Sequence, residues 1–360
     1  MTDLIRSEVC HLDAERGRLT YRGYDVVELA ERSSFEETSC LLVSGQLPTS
    51  AELRELRREL QARGKPSADE RRWLAKAPAD VDELALLRTA VSGLGLVAMP
   101  GGAVAGIPAG ALQLMAKVPV FVAERLRLRG NGARTRGRVS TAAALLIALR
   151  GDAPPELERA LDGALVLRAD NELNPGTFAV RVAASTGADL VSAVTAGLGA
   201  LAGPRHSAHT NNVLRLLESV GDPGRARETI KALVGAGGTP AGFGHPIYRD
   251  EDPRTPAARR LAEDACRAAG RPEWFALARA VEEAMVAESD ARANVDYYLT
   301  SIYVACGFPA ATFASLFAVA RTPGWIAHAL EQGREPDLIR PRATYVGPLD
   351  QRYKSTRARR

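Results

Sequence analysis

The chain has 360 residues, a formal net charge of +4, 46% hydrophobic and 25% charged residues, a balance that excludes a disordered chain and permits a large buried core. Basic residues collect at the tail (Arg352, Lys354, Arg357, Arg359, Arg360) without interleaved aromatics, which argues against a nucleic-acid arm. Scarce aromatics beside abundant Ala, Leu, Arg and Gly favour helices over strands. In chain order, a short strand signal lies near Arg18–Tyr21. Ser33-Ser34-Phe35-Glu36-Glu37 offers a capping box before Leu41, and Thr49-x-x-Glu52 offers another before a helix ending near Gly64. Residues 82–95, 111–128, 139–150 and 155–170 read as helices, and Thr177 to Leu201 as a long small-residue helical segment. Thr255-Pro256 opens a helix that stops near Gly270, and another spans Trp274 to Ala291. Pro309 to Gln332 is helical in pattern, but Pro323-Gly324 predicts a break or kink just after Arg321. The fold class is mainly α.

From Thr89 to Ala116 about 28 residues pass without a charge, long enough to span a bilayer. Pro100, Gly101, Gly102 and Pro108 divide that run, so it reads as buried helices joined by a loop. The N-terminus has no apolar signal core, and Cys10, Cys40, Cys266 and Cys306 lack metal-ligand spacing. The expectation is a reduced, cytoplasmic protein with no membrane segment and no metal.

Three residues in unusual settings stand out: His206 in GPRHSAHT, His245 in AGFGHPIYRDEDPR and Asp296 in RANVDYYL, two of them among only five histidines. Two imidazoles and a carboxylate suit removal of a proton beside a carbonyl and attack of the resulting carbon on a second carbonyl. Taken singly, each has an ordinary reading. His206 sits at a helix boundary, His245 in a glycine turn, and Asp296 at the N-cap position of the apolar run Tyr297–Cys306. Gly242 and Gly244 allow backbone conformations that bring amides close to a ligand, and Arg249 and Arg254 lie near enough to serve anions.

In their order along the chain these segments resemble the citrate synthases of the shorter bacterial and archaeal type. GRLTYRGYDVVELAERSSFEETSCLLVSGQLPT, ELALLRTAVSGLG, ADNELNPGTFAVRVAASTGADLVSAVTAGLGALAGPRH, AGFGHPIYRDEDPR, NVDYYL and ARTPGWIAHALEQ through LIRPRATYVGP carry the resemblance over most of residues 16–350. It implies a citrate synthase-like fold: a large helical domain (1–203 and 316–360) and a smaller one (204–315) that closes over it, in a homodimer. It also implies an acyltransferase that condenses acetyl-CoA with oxaloacetate and hydrolyses citryl-CoA, with no cofactor beyond the CoA thioester. By the same resemblance Asp296 takes the methyl proton, His206 bonds the thioester oxygen and His245 polarises the ketone. Asn171, Arg254 and Arg321 hold oxaloacetate, with Arg340 reaching in from the neighbouring subunit. Arg249 and the backbone of Thr239, Pro240, Ala241, Gly242, Phe243 and Gly244 meet CoA.

The chain departs from that pattern in four places. Asn171-Glu172 stands where the family usually has His-Glu, and Asn171 donates a hydrogen bond but cannot become cationic. Ser207, Ala208, His209 and Thr210 replace small glycines and an asparagine. Leu299-Thr300 replaces Ser-Gly, and residues 128–140 form a shorter connection without the usual prolines. These changes leave open 2-methylcitrate synthesis from propionyl-CoA, since one methylene discriminates by only about 1–3 kcal/mol. They also leave open a synthase for another 2-oxo acid, the citryl-CoA cleavage direction, and a paralogue that binds CoA or a dicarboxylate without turnover.

Overall fold

The computed structural model describes residues 5–97, 101–130, 132–134, 139–248, 250–353 and 356. Near the N-terminus β1 (Cys10–Asp13), β2 (Arg18–Tyr21) and β3 (Tyr24–Asp25) form an antiparallel sheet in that order, Cys10 facing Tyr21. A second hairpin pairs β4 (Ala103–Val104) with β5 (Ile107–Pro108). Only the β2 segment was legible as a strand: β3, β4 and β5 are two residues each, and β1 (CHLD) carries no β-branched residue.

Side-chain caps start the first helices. Asp25 accepts the Val27 amide to open α1 (Val26–Arg32). Reciprocal capping boxes open α2 (Phe35–Ser44, from Ser34 and Glu37) and α3 (Ser50–Gly64, from Thr49 and Glu52). Ser67 and Glu70 do the same for α4 (Ala68–Lys76). The uncharged run after Thr89 divides as expected, into the end of α5 (Glu83–Gly93), a 3₁₀ turn (Leu94–Leu96), the second hairpin and the start of α6 (Ala109–Arg129). Among the described residues no helix is long and apolar enough to cross a membrane.

Next come α7 (Thr141–Arg150) and α8 (Pro155–Leu167), the latter ending three residues before the expected boundary as the chain turns at Arg168. The long segment from Thr177 is two helices, α9 (Pro175–Ser185) and α10 (Leu190–Leu201), separated by a turn at Gly187 and recapped by Asp189. They pack against each other and against the last helix. Then follow α11 (Pro204–Ser207), α12 (His209–Val220), α13 (Ala226–Gly235), α14 (Thr255–Ala268), α15 (Pro272–Glu288), α16 (Val295–Cys306) and α17 (Phe313–Gln332).

The break expected after Arg321 is absent: α17 runs through Pro323. It is buried on nearly every face and packs against α2, α6, α8, α9 and α10, so tertiary contacts outweigh the local cost of proline. The next residue, Gly324, has no side chain for a reason. A Cβ there would lie 2.4 Å from the Ala169 carbonyl oxygen and 2.7 Å from Asp170 Oδ1. The loop after α8 is thereby laid directly on α17. Helices α14 and α16 also pack against α8. All four cysteines are free and buried.

Candidate active site

The loop from Arg168 to Asn174 forms the floor of the site. Tyr21 holds it from the sheet: its hydroxyl donates to the Asp170 carbonyl (3.0 Å) and accepts from the Asp170 amide (3.2 Å). Beneath lies a buried polar chain. His328 Nδ1 accepts from Arg181 Nε (2.9 Å), so the proton sits on Nε2, which donates to Asp170 Oδ2 (3.1 Å). Arg181 also donates to Gln332 and pairs with Glu331, which fixes α9 to the end of α17. Nothing local in the sequence marks this chain, since its members lie some 150 residues apart.

Phe317 on α17 gathers the next group. His206 packs edge-on to its ring (centroids 5.4 Å apart), and the Arg168 and Arg321 guanidinium carbons lie 4.4 and 5.0 Å from its centroid. Arg321 Nε donates to the Arg168 carbonyl (2.8 Å). Burial lowers the pKa of His206 to about 4, and the positive charges of Arg321, His209 and Arg168 push the same way. The imidazole is therefore neutral at physiological pH, and its Nε2 is buried without a partner.

Asp296 enters from the first turn of α16. It is not the N-cap, as the sequence alone suggested. That role falls to Asn294, whose Oδ1 accepts the Asp296 amide (3.1 Å). Displaced by two positions, the Asp296 carboxylate is free to reach across and form an ion pair with Arg168 at the end of α8. Arg168 was not among the expected site residues. The available signal was a lone arginine closing ALVL, a run buried at every position.

The loop before α14 carries His245 and is pinned to the same helix end. The Gly242 carbonyl accepts the Asn294 amide (2.9 Å), and the Gly244 carbonyl accepts Asn294 Nδ2 (2.9 Å). Gly242 has φ +86°, and a Cβ there would meet Val213 at 2.6 Å and Tyr297 at 2.8 Å. Its glycine is thus required by packing as well as by the turn. The amides of Phe243 and Gly244 are spent on the Pro240 and Arg292 carbonyls, so they are not offered to a ligand. Phe243 itself is buried against Tyr297 (4.8 Å), whereas Thr239 is exposed and Ala241 half-buried. His245 Nδ1 accepts the amides of Ile247 and Tyr248 (3.2 Å each), which leaves the proton on Nε2. Burial, with the Arg254 charge adding to it against the opposing Asp252, lowers its pKa to about 4. His245 is thus a neutral Nε2–H donor.

Arg254 is buried and forked onto Asp252, Nε to Oδ1 (2.9 Å) and Nη2 to Oδ2 (2.8 Å). Burial acts against the cation, but the Asp252 charge and hydrogen bonds prevail and raise its pKa. Asp252 also accepts the Val295 amide (3.1 Å), which joins the His245 loop to the helix turn that bears Asp296. Arg321 has its pKa lowered by burial, and its Nη1 has no partner. Asn171 is half-buried in the floor loop with an unpartnered Oδ1. Arg340 is not brought to this cluster within one chain: it is exposed on the extended segment after α17, where the Ile339 amide donates to Ser185 Oγ (3.1 Å). Arg249 lies outside the described residues.

Among the substituted positions His209, Thr210 and Thr300 have local partners, and residues 131 and 135–138 of the 128–140 connection lie outside the described residues. His209 is exposed and its Nε2 lies against the Arg205 carbonyl (3.1 Å), as expected for a capping histidine. Thr300 Oγ1 lies 3.2 Å from the Thr210 carbonyl and 2.8 Å from the Asp296 carbonyl, stitching α12 to α16. Cavities of about 480 and 620 Å³ lie elsewhere, and none of the cluster residues lines either. Among the described residues no group of three or more His, Cys, Asp or Glu could hold a metal ion.

The arrangement offers a carboxylate, two neutral imidazoles and buried arginines from five segments far apart in sequence. A family model described as citrate synthase, C-terminal domain, matches residues 2–342. The chain is 35% identical over 341 residues to citrate synthase 2 of Bacillus subtilis, covering 93% of this chain and 92% of that one. It is 34% identical over 334 residues to 2-methylcitrate synthase of Shewanella oneidensis, covering 91% and 88%. In fold it matches citrate synthase of Thermoplasma acidophilum, solved as a ternary complex with carboxymethyl coenzyme A and oxaloacetate. The TM-score is 0.89 at 27% identity, covering 99% of this chain and 97% of that one. With sequence and fold both matching along nearly its whole length, the chain belongs to the citrate synthase family.

Proposed function

We propose that the protein condenses acetyl-CoA with oxaloacetate and hydrolyses the resulting citryl-CoA to citrate and CoA. The observation that carries this reading is the convergence of Asp296, His206 and two buried arginines around Phe317, with the His245 loop tied to the Asp296 turn through Asp252. A thioester methyl is a weak carbon acid, so a base and an oxygen donor must act together. Asp296 takes the methyl proton while His206 Nε2 bonds the thioester oxygen, where enolate charge develops. The new carbanion centre attacks the ketone carbon of oxaloacetate. His245 Nε2–H lies on the ketone oxygen and supports the alkoxide that forms. Water then cleaves the thioester, releasing CoA. Neutral imidazoles suit both donor tasks, since each meets oxygen charge that exists only during reaction.

Arg254 and Arg321 hold the dicarboxylate, joined by Arg340 from a second copy of the chain. Of the Thr239–Gly244 stretch, the exposed Thr239 and half-buried Ala241 meet CoA, together with Arg249. The smaller unit, residues 204–315, closes over the larger to exclude water until carbon–carbon bond formation is complete. We place the protein in the cytoplasm as a homodimer, and the chemistry as written draws on no metal or nucleotide cofactor.

CoA release measured for acetyl-CoA and propionyl-CoA against oxaloacetate and other 2-oxo acids tests this. Acetyl-CoA with oxaloacetate is expected to give the highest kcat/KM, and Asp296→Ala to lower kcat by about 10²–10⁴-fold, the usual contribution of a positioned base. No release with any pair, or release unchanged in Asp296→Ala, overturns it.

A further inference from the structure

We infer that Arg168 is a further substrate-binding residue, which receives a carboxylate of the 2-oxo acid and in doing so gives up Asp296 to act as base. The inference rests on the condensing-enzyme reading above.

Arg168 ends α8, and its backbone carbonyl is committed to Arg321. Its side chain is 3% exposed. A buried guanidinium is costly unless its donors are met, and here they are met only in part. Asp296 pairs with it, Phe317 lies beneath it at 4.4 Å, and the Tyr303 phenol stands beside it. Nη1 has no partner. Arg321, on the same aromatic ring, also leaves Nη1 buried and unpartnered. Two orphan donors on neighbouring cations mark a place for an anion, and the flat fork of arginine fits a carboxylate.

Electrostatics agree with that placement. Burial lowers the Arg168 pKa to about 10, and Arg321 and Arg254 add to the effect while Tyr303 opposes it. An incoming carboxylate relieves the repulsion. Arg254 is less available for this task because Asp252 already takes its Nε and Nη2. Asn171, three residues along the same loop, carries no charge. Fixed positive charge on the floor loop, which also carries Asp170 and Glu172, therefore comes from Arg168. With Arg321 as the second anchor, the fitting ligand class is a 2-oxo dicarboxylate and not a 2-oxo monocarboxylate.

A carboxylate on Arg168 competes with Asp296 for one guanidinium. In the empty site the base is held, and in the loaded site it is released toward the thioester. A simple counter-ion role for Arg168 predicts no such competition.

Calorimetric titration of oxaloacetate alone, and of pyruvate as the monocarboxylate control, separates the two. Arg168→Gln is expected to weaken oxaloacetate binding by about tenfold or more, with Arg168→Lys intermediate. Pyruvate binding should change far less. Asp296→Asn is expected to tighten oxaloacetate binding, because Arg168 loses its internal competitor. Unchanged oxaloacetate affinity in Arg168→Gln, or weaker binding in Asp296→Asn, overturns the inference. Should Arg168→Gln fail to fold, Arg168→Lys and Asp296→Asn read the same competition. A wild-type enzyme that releases CoA while Arg168→Gln retains its affinity sinks the Arg168 role alone. A wild type that releases no CoA with any substrate pair sinks the condensing reading itself.

Discussion

Each imidazole of the site is neutral because of where it is buried. His206 and His245 have pKa values near 4, against 6.5 for a free histidine, chiefly through burial with arginine charges adding to it. Between about pH 4 and 6.5 the unfolded chain therefore binds protons that the folded chain refuses. The sign follows: these groups make stability rise with pH across that window, and the stability is lost as pH falls through it. Thermal unfolding of the wild type is expected to show a midpoint that drops between pH 6.5 and pH 4. In a His206→Gln, His245→Gln double variant the drop should be smaller, and an equal drop would rule out these two groups as its source. Both histidines were legible from Gly/Pro-rich surroundings in a chain with few histidines. Their neutrality was not, because it rests chiefly on burial by the fold, with Arg168 and Arg321 brought to His206 from the ends of other elements.

Among the elements, α17 shows how packing overrides local rules. A proline and a glycine in sequence argue for a break, yet the helix continues because its surroundings bury nearly every side chain. Gly324 serves the site instead, by letting the Arg168–Asp170 loop rest on the helix. Gly324→Ala is expected to cost about 1–3 kcal/mol, the usual penalty for forcing a methyl into a packed contact. It should also raise the KM for the 2-oxo acid more than that for the thioester, because the displaced loop carries Arg168 and Asn171. Thermal denaturation and steady-state kinetics check both, and an unshifted melting temperature contradicts the packing argument. Helix α16 gives the complementary case. The NVD motif was read correctly as a helix start, but the cap is Asn294. Which of two polar residues caps a helix depends on the neighbouring loop, here the Gly242 and Gly244 carbonyls.

For the molecule as a whole, the single chain leaves Arg340 outside the cluster, on an extended segment that also exposes Leu338, Tyr345, Val346 and Leu349. If Arg340 acts across a dimer, subunits carrying Arg340→Ala and Asp296→Ala complement each other, because every hybrid dimer holds one intact site. Each variant alone is expected to be impaired, and co-refolded mixtures to regain activity. No recovery in a confirmed hybrid dimer would place Arg340 outside the site.

The sequence by itself determined the helical class, most helix starts, the division of the uncharged run and the order of motifs that carries the chemistry. Those follow from caps, apolar periodicity and glycine or proline placement, all of them local properties. Tertiary structure alone decided that Arg168 faces Asp296, that Asp252 links Arg254 to the turn of α16, and that Asp170, His328 and Arg181 form one buried chain. These pairings join residues that are distant along the chain. They exist because burying a charge requires a partner, and the fold decides which partner is within reach.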